Sequence, residues 1–98
     1  MHVATLMLEL HLPDVHSLKA KRSVIKPIVE GTRRRYSVAA AEVDHQDAWQ
    51  VATIGMAVVS GRASHARQVL EDVERFVWSF PDIEITSSRR GWMSDEDE

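Results

Sequence analysis

The chain has no cysteine, which excludes disulfide frameworks, thiolate-ligated zinc and thiol catalysis, and fits a reducing compartment. Glycine and proline are sparse, four and three in 98 residues, too few for a low-complexity linker or a chain disordered throughout. No apolar run approaches the ~20 residues that a membrane-spanning helix needs. The opening stretch, MHVATLMLELHL, alternates and carries Glu9 and His11, unlike the basic start and unbroken apolar core of a signal peptide. A cytoplasmic location with no membrane partner is the expectation. Nucleophilic and nucleotide chemistry also lack their usual marks: there is no Gly-x-Ser-x-Gly, no phosphate-binding Gly-x4-Gly-Lys loop and no His-Glu-x-x-His. No catalytic residue, cofactor or small-molecule substrate is therefore expected.

What remains is an ordinary globular composition, 44% hydrophobic and 28% charged, of a length that supports one core. Its formal charge of −3 conceals an uneven distribution. The last four residues, DEDE, are all acidic, and without them twelve bases face eleven acids. Seven of the twelve bases lie between positions 19 and 35: Lys19, Lys21, Arg22, Lys26, Arg33, Arg34 and Arg35. One strongly basic element on a near-neutral body hints at a polyanionic partner.

Residues 2–12 alternate strictly, with Ala4, Leu6, Leu8, Leu10 and Leu12 on one side. That period of two predicts a strand with one buried face. Ser17 suits a helix N-cap, and Leu18, Ile25, Ile28, Val29 and Tyr36 follow at helical spacing, predicting a helix over about 18–35 with a kink or local break at Pro27. Residues 37–43 and 50–60 read as strands joined by a hairpin. Ala66, Val69, Leu70, Val73, Phe76, Val77 and Phe80 form the stripe of a second helix. Ile83 and Ile85 mark a last strand, and GWMSDEDE reads as a mobile acidic tail in which only Trp92 docks. One domain over 1–90 and a tail over 91–98 follow.

The order strand, helix, strand, strand, helix, strand predicts an α+β, ferredoxin-like sandwich: two helices on one face of a four-stranded antiparallel sheet ordered 4-1-3-2. This topology brings the acidic hairpin, EVDHQD, to the sheet edge where HSLKAKR begins the first helix. A leucine-rich strand, then SLKAKRSVIKPIVEGTRRRYSV, then AEVDHQDAWQVATIGMAVVS, together resemble the YlxP-like family of small bacterial proteins over essentially residues 3–87. Pro27 and the DEDE tail depart from the pattern. The resemblance implies a ferredoxin-like fold. Genes of that family commonly lie among those for translation initiation and ribosome maturation, which implies RNA or a ribosomal particle as partner.

Two readings compete for Glu42, Asp44, His45 and Asp47. Together they could ligate magnesium or manganese, but Lys19, Lys21 and Arg22 opposite them would repel the ion. A structural network of these four with Ser17 is the preferred reading, with Glu42 and Asp44 on one face of the strand and Asp47 bracing the turn. No metal is expected. Ser17 beside His16 or His45 could be drawn as a nucleophile and base, but capping is its simpler role.

Lys19, Lys21, Arg22 and Lys26 are expected to face solvent and grip phosphates, followed by Arg33–Arg35, which also complement the helix dipole. The sheet's open face should present Thr5, Met7, Glu9, His11, Thr53, Gly55, Ala57 and Val59, without an aromatic on which bases could stack. Met7, Ala57 and Val59 make that face apolar enough to suggest a homodimer or another protein partner. The acidic residues 95–98 could fold back on Arg33–Arg35.

Overall fold

A computed structural model describes residues 1–95. Its elements are β1 (His2–His11), α1 (Leu18–Tyr36), β2 (Ala39–Asp44), β3 (Val51–Ser60), α2 (Ala63–Trp78) and β4 (Glu84–Ser94). The strands form one sheet in the order β2-β3-β1-β4, with every neighbouring pair antiparallel. This is the expected α+β, ferredoxin-like arrangement. Among the described residues no helix is long and apolar enough to cross a membrane.

The alternation in β1 positions the core. Ala4, Leu6, Leu8 and Leu10 are fully or almost fully buried, and Leu12 just beyond the strand joins them. They lie side by side with Ala52, Ile54, Met56 and Val58 of β3 on the sheet face that the helices cover. The stripe of α2 behaves as its spacing demands, burying Ala66, Leu70, Val73 and Val77 completely. Phe76 leaves the sheet and packs edge-on against Tyr36 and Phe80. The two helices approach closely at Gly31, where an added Cβ would stand 2.8 Å from Phe76 Cζ.

α1 is capped as predicted. Ser17 Oγ accepts a bond from the Ala20 amide at 3.0 Å, and Ser37 ends the helix in the left-handed region at φ 53°. Buried Thr32 returns its hydroxyl to the Ile28 carbonyl. Pro27 does not divide the element: the helix continues through it at an exposed position, where water can replace the missing donor.

Two expectations need correction. β4 runs to Ser94, so residues 91–94, read as tail, are strand paired with the start of β1. The ring of Trp92 is tilted against His2 at 5.3 Å, with the Arg67 guanidinium 5.8 Å from its centroid. The proposed return of residues 95–98 to Arg33–Arg35 lies outside the described residues except for Asp95. That carboxylate instead meets the N-terminal ammonium at 2.9 Å.

Candidate nucleic-acid interface

Where α1 leaves its cap, the first two turns sort the basic residues into two groups. Lys21 lies four residues before Ile25 and seven before Ile28, on the buried stripe, and is only 2% exposed. Its ammonium donates to the carbonyls of His45 at 2.6 Å and Ala48 at 2.7 Å. The third neighbour is Glu42 Oε2 at 2.8 Å, a buried oxygen that receives no aligned hydrogen bond and is held by charge. Lys21 thus spends its ammonium inside the protein, on two carbonyls and the charge of one carboxylate. The expectation that it faces solvent and binds phosphate is wrong: a long amphipathic stem covers apolar surface while its head ties the hairpin to α1.

The hairpin it holds is shaped by a bulge. Glu42 pairs with Ile54, but Asp44 pairs with Thr53, so β2 carries one extra residue at Val43. That insertion turns the next side chain to the opposite face. Glu42 therefore points to the helix layer, whereas Asp44 joins the open sheet face, and the expectation that they share a face fails. Asp44 Oδ1 accepts the His45 amide at 2.7 Å, His45 adopts φ 63°, and its Nδ1 is hydrogen-bonded to Thr53 Oγ1 at 2.9 Å. Bracing of the turn falls to Asp44, since Asp47 has no hydrogen bond or ion pair among the described residues. No group of three or more histidines and carboxylates among the described residues is placed to hold a metal ion.

Lys19, Arg22 and Lys26 form the second group. All are exposed, and at i, i+3 and i+7 they share one face of α1. None has a carboxylate within 4 Å among the described residues. Arg22 and Lys26 rim a groove of about 310 Å³ between α1 and the hairpin, with Leu18 and Ile25 as apolar walls and Gln46 at its mouth. Sequence reasoning passed over Gln46, which only the hairpin geometry brings to α1.

At the helix end, Arg33 and Arg35 have local work. Arg33 Nε donates to the Ala40 carbonyl at 2.9 Å, fastening α1 to the start of β2. The Arg35 guanidinium lies over the Phe76 ring at 4.9 Å. Arg34 is exposed and has no such partner among the described residues. A continuous cationic strip of seven residues is thus reduced to Lys19, Arg22 and Lys26, with Arg34 further along.

On the opposite side of the sheet, Met7 and Val59 are exposed and Ala57 half-buried. Val43, Met93 and Arg89 also occupy this face, and the last two escaped sequence reading because β4 was ended too early. The face carries no phenylalanine, tyrosine or tryptophan on its strands.

The family described as "Protein of unknown function (DUF503)" matches residues 3–90. The uncharacterized protein YlxP of Bacillus subtilis (strain 168) is 38% identical over 80 residues, covering 82% of this chain and 87% of that protein. The chain therefore belongs to the DUF503, YlxP-like family.

Proposed function

We propose that this protein is a non-enzymatic, cytoplasmic accessory of translation or ribosome maturation that holds the phosphate backbone of structured RNA along α1. The observation that carries the reading is the stripe Lys19, Arg22 and Lys26. These three cations lie on one helical face without acidic partners, while neighbouring Lys21, Arg33 and Arg35 are consumed by the fold. The charge of Lys21 is offset by Glu42, whereas the three stripe cations have no carboxylate beside them and keep their field for a polyanion. The open face offers no ring for base stacking, so contacts would be to phosphates, with little sequence preference. Ser17, which follows His16, has its hydroxyl committed to the cap, which favours a non-catalytic role.

The test is a fluorescence-anisotropy titration of the full chain against a labelled RNA hairpin at several salt concentrations. Three phosphate contacts give a slope of log K against log salt of about −2 to −3. The triple variant Lys19→Glu, Arg22→Glu, Lys26→Glu should abolish binding with unchanged circular dichroism. Salt-independent affinity, or binding retained by the folded triple variant, would overturn the assignment. Salt-sensitive co-migration with ribosomal particles through a sucrose gradient then tests the place of action.

A further inference from the structure

The open face of the sheet is self-complementary, and we infer that a second copy of this chain covers it, related by a two-fold axis running along the strands between β1 and β3. The register defines the rows of this face. Val3, Val59 and Met93 form one row; Thr5, Ala57, Gly91 and Ala39 the next; Met7, Gly55, Arg89 and Ala41 a third; and Glu9, Thr53, Ser87 and Asp44 a fourth. An axis along the strands keeps every row in place but exchanges β1 with β3 and β4 with β2. Large side chains on β1 then stand over small ones on β3: Met7 over the second copy's Gly55, and Thr5 over the second copy's Ala57.

The face is shaped for such a fit. Thr5, Met7, Ala39, Ala41, Gly55 and Ala57 line a shallow apolar depression of about 320 Å³. Bulky residues rise beside it, with Val59 and Met93 each 64% exposed and Val43 49% exposed. Charge is complementary in the same geometry. Arg89 has only the Met7 sulfur as a polar neighbour at 3.4 Å, and Asp44 serves only the adjacent His45 amide, so both are without an ion pair among the described residues. Setting β4 over β2 places each Arg89 over the second copy's Ala41 and diagonally one row from its Asp44, within the reach of an extended arginine, twice per dimer.

The size is sufficient. Ten residues of β1 span ~34 Å and four strands ~19 Å. Because β2 has only six residues, two such faces bury roughly 1,100–1,200 Å², above the ~1,000 Å² that a specific interface must clear. Stacked sheets pack ~10 Å apart with strands within ~30° of each other, which an axis along the strands allows. An axis across the strands would instead lay the apolar rows on Glu9 and Asp44.

Sedimentation equilibrium of the full chain tests the inference, with twice the 11.1 kDa chain mass expected. Val59→Glu, at a position already exposed in one copy, should give a folded monomer. Ala57→Lys at the centre should do the same. Because the chain has no cysteine, single variants Arg89→Cys on β4 and Ala41→Cys on β2, mixed and treated with a short bismaleimide, should cross-link to each other (~10 Å apart) far more than either does to itself (~17 Å). A chain monomeric up to hundreds of micromolar would overturn the inference and leave the face to a different protein. A dimer that both charged variants leave intact, or one without the mixed cross-link, would overturn this interface or this axis respectively.

Discussion

Replacing Lys21 by methionine isolates what its ammonium does, because methionine keeps most of the unbranched stem and its packing. Three groups lose their partner at once: the carbonyls of His45 and Ala48, and the Glu42 carboxylate. Removing one member of a buried ion pair costs ~3–5 kcal/mol, since the other charge stays behind uncompensated. Glu42 is 23% exposed on its side chain and can recover some hydration, as can carbonyls near an exposed turn. The lower bound therefore applies, about 3 kcal/mol. For a domain of this length each kcal/mol moves Tm by ~4–8 °C, so a fall of ~12–24 °C is expected.

Urea unfolding followed by circular dichroism measures the effect, with Lys19→Met as the comparison. That exposed neighbour should stay within about 0.5 kcal/mol of the parent. Adding Glu42→Met to Lys21→Met should restore part of the loss, because the stranded carboxylate goes too, but the two carbonyls keep the recovery incomplete. If Lys21→Met behaves like Lys19→Met, the ammonium is not an anchor and the division of α1 into structural and exposed cations collapses.

Two further outcomes follow from the geometry. Gly31→Ala should destabilise by about 1–2 kcal/mol in thermal unfolding, although alanine is favoured over glycine inside a helix by ~1 kcal/mol. The added methyl meets Phe76, itself confined by Tyr36, Phe80 and Arg35, and a gain in Tm would refute the close approach of the helices. Asp95 should titrate below its ordinary value of 3.8 by NMR, because it accepts a hydrogen bond from the N-terminal ammonium and feels its charge. With the folded value depressed, its contribution is present above 3.8 and lost as pH falls through the lowered midpoint; N-terminal acetylation should return the midpoint upward.

The fold was legible wherever burial falls on one face. In β1 and α2 the apolar period equals the structural period, so both elements and their inward residues can be read directly. The far half of β4 escaped because its inner side is covered only at the margin of α2, by Arg90 against Glu74 and Arg67 over Trp92, so GWMS shows no apolar alternation. The bulge at Val43 left no mark in composition, and a single inserted residue reversed the side on which Asp44 falls. Lys21 is different: its spacing to Ile25, Ile28 and Thr32 placed it on the buried stripe all along. Only its residue type argued for solvent, and a buried lysine is rare enough to make that inference natural.

That division within one helix decides how its charges can be probed. Lys21 and Arg33 fasten α1 to β2 at two points, twelve residues apart along the chain, and the exposed cations are carried on the rigid segment they define. A charge reversal that included Lys21 would release the hairpin and abolish RNA binding by unfolding, whether or not any phosphate touches α1. Sparing it makes the loss of binding interpretable. The stripe from Lys19 to Lys26 is ~10 Å long at 1.5 Å per residue, enough for a few phosphates and a modest affinity. In the two-fold arrangement the helices form the outer layers, so two stripes lie on opposite faces about 30 Å apart. A short duplex can engage only one of them, and avidity arises only when a folded RNA or a particle reaches both sides. The proposed dimer and the proposed phosphate contacts use separate surfaces, so disrupting the sheet interface should leave the affinity for a short hairpin intact while weakening the hold on a larger particle.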